Sequence, residues 1–88
     1  MKMILAVMHD DDAEKALPML VERKIGVTRL ATTGGFLRRG NTTLMIGLAD
    51  DRVDEALDTL RASLAESDAE DHSRVTVFVL PVAHFEQI

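Results

Sequence analysis

Cysteine is absent from the chain, and tryptophan and tyrosine with it. Without thiols there is no disulfide framework, no thiolate metal site and no cysteine nucleophile. No apolar run approaches the ~20 residues that a membrane-spanning helix needs. The opening stretch MKMILAVMHDDD has a short apolar run closed by acids and lacks a signal peptide's cleavage site, so a cytoplasmic protein away from membranes is expected. Positive charge is also scarce: 10 Lys and Arg stand against 15 Asp and Glu, for a net charge of −5. Such a surface repels nucleic acid polymers. Nor is there room for a second core, so residues 1–88 are expected to form one domain.

What is present is a repeat. Sliding the chain against itself by 40 residues lays Ile4 to Leu17 (ILAVMHDDDAEKAL) over Leu44 to Leu57 (LMIGLADDRVDEAL), with Asp10, Asp11, Ala16 and Leu17 on Asp50, Asp51, Ala56 and Leu57. Each copy reads as an apolar strand, an acidic cap and a helix, because carboxylates oppose the positive helix terminus and accept its free N–H groups. The first helix carries a stripe at Ala13, Ala16, Leu17 and Leu20, the second at Val53, Ala56, Leu57, Leu60 and Leu64. Pro18 removes a hydrogen bond to Glu14 and predicts a kink or a late helix start.

Strand candidates follow each helix, at Val27 to Thr33 and Arg74 to Leu80. The order is βαββαβ, an α+β ferredoxin-like sandwich whose antiparallel sheet carries two helices on one face. The strand Ile4 to Met8 is nevertheless apolar at every position, so the second face also needs cover. The same face of another copy is the least costly cover, and the pattern predicts a homo-oligomer.

The segment with most chemistry is ATTGGFLRRGNTT, Ala31 to Thr43. Gly34, Gly35 and Gly40 open the backbone to close approach, so that main-chain N–H groups can cradle an anion. Arg38 and Arg39 offer guanidinium forks to phosphate, while Phe36 and Leu37 are apolar in a polar loop and suit a planar base. The segment is neither a Walker loop nor a dinucleotide-binding turn. On these residues alone, a ligand site and a plain connecting loop both stay open.

An enzyme fares less well. His9, His72 and His84 are far apart in sequence, with no metal-ligand spacing among them, and Ser63, Ser67 and Ser73 have no paired base. Asp10, Asp11 and Asp12 read as helix-capping acids rather than a divalent-ion site. The acidic stretch Glu66 to His72 reads as a solvated turn.

The segments MKMILAV, TRLATTGGFLRRGNTTLMIG, DDRVDEAL and VTVFVLPV together resemble the PII-like cyclic di-AMP receptor family over most of the chain. The resemblance implies a non-catalytic signalling homotrimer that binds cyclic di-AMP in clefts between subunits and relays its presence to an effector protein by contact. It also implies ligand contacts at Thr28, Gly35, Phe36, Leu37, Asn41 and Gly47, with Phe78 and Gln87 closing the pocket and Arg38 and Arg39 as phosphate candidates. Asn41 would serve base or ribose, and Gly47 would permit close approach. No metal or resident cofactor is implied. Two places depart from the family's pattern: Gly26 stands where an arginine is usual, and only about ten residues, Leu64 to Ser73, fill a gap that is usually long. The alternative kept with them is a PII-like trimer that binds ATP or ADP, or no nucleotide, and acts through protein contacts alone.

Overall fold

The computed structural model describes residues 1–30, 40–64, 75–86 and 88. In chain order the elements are β1 (Lys2–His9), α1 (Asp10–Glu22), β2 (Val27–Leu30), β3 (Asn41–Leu48), a 3-10 turn (Asp50–Arg52), α2 (Val53–Leu64) and β4 (Thr76–Pro81). All pairings are antiparallel, in the order β2-β3-β1-β4. This is the expected ferredoxin-like sandwich. β2 ends at Leu30, and Ala31 to Thr33 lie outside the described residues; β4 runs one residue beyond the expected end, to Pro81.

The repeat is real in three dimensions. His9 and Ala49 precede the two helical segments with the same backbone angles, φ −66° and ψ 151°. Neither cap makes a side-chain hydrogen bond; the acids sit one step later, in the first turn of each segment. The expected acidic caps are thus first-turn acids that act through the field of the helix N-terminus. α1 begins without delay at Asp10 and runs through Pro18, which lies on an exposed position.

α1 closes with a Schellman motif: Ile25 N–H donates to Leu20 O (2.9 Å) and Lys24 N–H to Val21 O (3.0 Å). Ile25 and Leu20 are both buried beneath it. Lys24 takes the left-handed position, φ 59°, where glycine is usual. Arg52 locks this end to the second repeat, its guanidinium reaching Arg23 O at 3.1 Å and Glu55 at 3.1 Å, while Arg23 Nη1 donates to Thr59 Oγ1 at 2.9 Å.

Both helices lie on one face of the sheet and cover β1 and β3 there, while Val77 and Val79 of β4, turned to the same side, are exposed. Ile4, Ala6 and Met8 of β1 and Leu44, Ile46 and Leu48 of β3 pack there against Ala13, Ala16, Leu20, Ala56 and Leu60. Each large aliphatic side chain buried in this way contributes about 1.5 to 3 kcal/mol. The helical stripes are rotated from expectation. Leu17, Val53, Leu57 and Leu64 are only half-buried, whereas Asp12, Thr59 and Ser63 are buried. Thr59 and Ser63 tolerate this by donating their hydroxyls to the carbonyls of Glu55 and Leu60, at 2.7 Å each. Among the described residues no helix is long and apolar enough to cross a membrane.

Candidate ligand face

Because strand side chains alternate, the register assigns each residue to the helix-covered face or to the open one. With Ile4, Ala6 and Met8 turned to the helices, Met3, Leu5 and Val7 turn away. Their cross-strand partners turn with them and form rows. Thr28, Met45, Leu5 and Phe78 form one row across all four strands. Gly47, Met3 and Leu80 form the row on one side of it, and Leu30, Thr43, Val7 and Thr76 the row on the other. None of these residues is charged, on a chain whose net charge is −5.

Four of the residues expected to contact a ligand are described by the structure, and Thr28, Asn41, Gly47 and Phe78 all occupy this open face. They do not meet at one point. Thr28 and Phe78 sit at opposite edges of their row, three strand spacings or roughly 14 Å apart. Asn41 and Gly47 sit at opposite ends of β3. Gly35, Phe36, Leu37, Arg38, Arg39 and Gln87 lie outside the described residues. Phe78 is 52% exposed rather than part of the helix-side core.

Around Thr28 and Gly47 the face sinks into a cleft of about 560 Å³. Its floor is Met3, Met45, Thr28 and Gly47; Gly26 and Val27 border it on one side, and Met1 with Val82, His84 and Phe85 on another. Gly47 contributes no side chain to its row, and the Met1 side chain packs over it, its Cε 3.3 Å from where a Cβ would stand. A Cβ at Gly26 would meet nothing within 4 Å, so that position opens directly onto free space. The chain beyond β4 is held alongside by Val82 N–H donating to Met1 O at 3.0 Å.

Charge at the cleft is compensated. The N-terminal ammonium of Met1 lies 2.9 Å from Asp50, and His84 Nε2 lies 3.6 Å from Glu86. The hydrogen bond from the ammonium holds the Asp50 carboxyl below its ordinary 3.8; desolvation opposes it, and the charges of the ammonium and of Lys2 add to the lowering.

At the far end of β3, the glycine-rich segment rejoins the sheet. Gly40 takes φ +91°, which suits glycine, and its carbonyl accepts from Asp10 N–H at 2.8 Å. Next to it, Thr42 donates its hydroxyl to Asp10 Oδ1 and accepts from Arg29 Nη2 at 3.3 Å; Arg29 Nη1 meets Glu14 Oε1 at 2.6 Å. This network ties β2, β3 and α1 together where the segment leaves and returns. Of the other polar candidates, Asp10 accepts from the Thr42 hydroxyl and the buried Ser63 hydroxyl donates to Leu60 O within its own helix, while Ser67, His72 and Ser73 lie outside the described residues.

Met3, Met45, Val82 and Phe85 line the cleft without having been singled out in the sequence, and His84 joins them after being weighed only as a candidate for catalysis or metal binding. Met3 and Met45 are buried in unbroken apolar runs that conceal which face each residue takes, and Phe85 follows Pro81 without any periodic pattern.

Comparison with known proteins adds two likenesses. A family model described as cyclic-di-AMP receptor matches residues 1–70. A crystal structure of a functionally unknown protein from Pediococcus pentosaceus is 33% identical, with a TM-score of 0.77; the match covers 99% of this chain and 96% of that one.

Proposed function

The chain belongs to the cyclic-di-AMP receptor family, and from that premise we propose that it is a PII-like signal-transduction protein, a homotrimer binding cyclic di-AMP in clefts between subunits. Binding is relayed to an effector protein by contact, without catalysis, from one domain spanning residues 1–88.

The observation that carries this reading is the placement of Thr28, Asn41, Gly47 and Phe78 on one uncharged, helix-free sheet face, at separate corners of it. Residues so far apart contact one dinucleotide when two copies of the face meet and each supplies different corners. The apolar rows Met3–Leu80 and Met45–Leu5–Phe78 give the copies a reason to associate, since leaving such a surface in water is costly. Gly35, Phe36, Leu37 and Gln87 complete the ligand contacts in this proposal, with Arg38 and Arg39 near the phosphates.

Isothermal titration with cyclic di-AMP tests it. Saturable heat near one ligand per subunit is the expected result. Silence at high micromolar concentration, with heat from ATP or ADP instead, would replace it with the reading of a trimer for another adenine nucleotide. That second reading draws on Gly26, which leaves the cleft border without a guanidinium.

A further inference from the structure

We infer that Asp10 is a positioning residue for ligand binding. It grips Gly40 through its main chain and Thr42 through its carboxylate, and so fixes the backbone on both sides of Asn41, the expected ligand contact between them. This role rests on the cyclic dinucleotide reading and deepens it.

Asp10 opens α1 directly after β1 ends at His9, the register partner of Asn41. Its N–H donates to Gly40 O at 2.8 Å, and its Oδ1 accepts from the Thr42 hydroxyl. Thr42 is buried on the helix side of β3 with Leu44 and Ile46, whereas Asn41 takes the alternate, open side. The grip is therefore made on one face and felt by a residue of the other. Gly40, at φ +91°, is the pivot on which the glycine-rich segment rejoins the sheet, and a pivot so permissive needs holding if Asn41 is to be aimed. The bond from Thr42 is charge-assisted, and Arg29 Nη2 supports it by donating to the same hydroxyl oxygen at 3.3 Å.

The repeat points to the same use of this position. Asp50 is the counterpart of Asp10 at an offset of 40 residues, and Met1 the counterpart of Asn41. Asp50 bonds the main-chain nitrogen of Met1 at 2.9 Å, so each first-turn acid holds the start of the strand beside it. In the first repeat that strand start is the root of the glycine-rich segment. A ligand that needs Asn41 in one orientation binds more weakly in proportion to the time spent in others, and the grip removes that loss beforehand. Linkage then requires the ligand to strengthen the grip.

Calorimetry with cyclic di-AMP on Thr42→Val, Asp10→Ala and the double variant tests the role, with circular dichroism to check folding. Thr42→Val keeps the shape of the side chain and loses the donor. Each single variant is expected to bind roughly tenfold more weakly, the lower end of what a hydrogen bond to a charged group is worth. The double variant should lose no more than the weaker single one, because both remove the same bond. Thr42→Ser, which restores the hydroxyl, should titrate like the parent. In the parent itself, added cyclic di-AMP should slow hydrogen exchange at the Asp10 amide, a readout that no variant's failure to fold can remove. Single variants that bind like the parent, losses that add in the double variant, a Thr42→Ser as weak as Thr42→Val, or Asp10 exchange that the nucleotide leaves unchanged each overturn the positioning role and leave the receptor reading standing. No heat from cyclic di-AMP with the parent overturns the receptor reading and the positioning role with it.

Discussion

Leu5 and Phe78 are direct partners across β1 and the edge strand β4, side by side on the sheet face turned away from α1 and α2. Leu5 is half-buried and Phe78 is 52% exposed. If copies of the chain meet through this face, a charge at its centre is buried in every interface at once. Leu5→Glu is expected to reduce the particle from three times the 9.7 kDa chain mass to the chain mass itself, read by light scattering. Circular dichroism should retain both helices, because their core lies on the other face. A monomeric parent would defeat the argument from the open face.

Asn41 and Gly47 share one face of β3 but lie six residues, roughly 20 Å, apart. Asn41 is therefore expected to act on the ligand from a corner that the cleft does not reach. Asn41→Ala, and Phe36→Ala in the neighbouring segment, should weaken cyclic di-AMP binding while the assembly stays intact. A variant that falls apart in light scattering would mark its residue as structural instead.

The strands, the helices and the repeat were legible because apolar periodicity and acidic first turns record them directly. The open face was legible only indirectly. Ile4 to Met8 are apolar throughout, so the sequence says that both faces are covered without saying which residues line each. Register supplied that, through partners such as Met45 opposite Leu5. The rotated stripe of α2 escaped for a related reason: Thr59 and Ser63 read as polar, yet each satisfies its hydroxyl within the helix and can be buried. The cleft wall was least legible, since Phe85 lies beyond the end of β4, where no periodic pattern marks it.

Gly26 borders the cleft with nothing within 4 Å of where a Cβ would stand. Gly26→Arg is therefore sterically open, and its guanidinium would reach acceptors on a bound nucleotide. One charge-assisted hydrogen bond is worth about 1.5 to 3 kcal/mol, so cyclic di-AMP affinity should rise roughly ten- to a hundredfold in calorimetry. Unchanged affinity would mean that the ligand does not pass along this border.

Asp50 titrates below its ordinary 3.8 because the Met1 ammonium donates to it. A carboxyl depressed in the folded state stabilises the fold fully above its unfolded value and loses that contribution as pH falls through the folded one. Stability should therefore decline in a window that starts near pH 3.8 and extends below it. Asp50→Asn is expected to flatten the part of that decline due to this pair, in denaturant melts at fixed protein concentration. A carboxyl carbon-13 titration of Asp50 with an ordinary midpoint would remove the basis for the effect.

Lys24 ends α1 in the left-handed conformation, φ 59°, where its Cβ is crowded by the backbone. The Schellman bonds from Lys24 and Ile25 hold it there, and the buried contact of Ile25 with Leu20 depends on the same turn. Glycine keeps both bonds and relieves the crowding, at some entropic cost in the unfolded chain. Lys24→Gly should therefore raise stability by about 1 kcal/mol, a melting shift of roughly 4 to 8 °C for a domain of this size. Lys24→Val, with its branch at Cβ, should move the melting temperature the other way, since a branched side chain is least tolerated at positive φ. Equal melting temperatures for the two variants would show that this turn is not left-handed in solution.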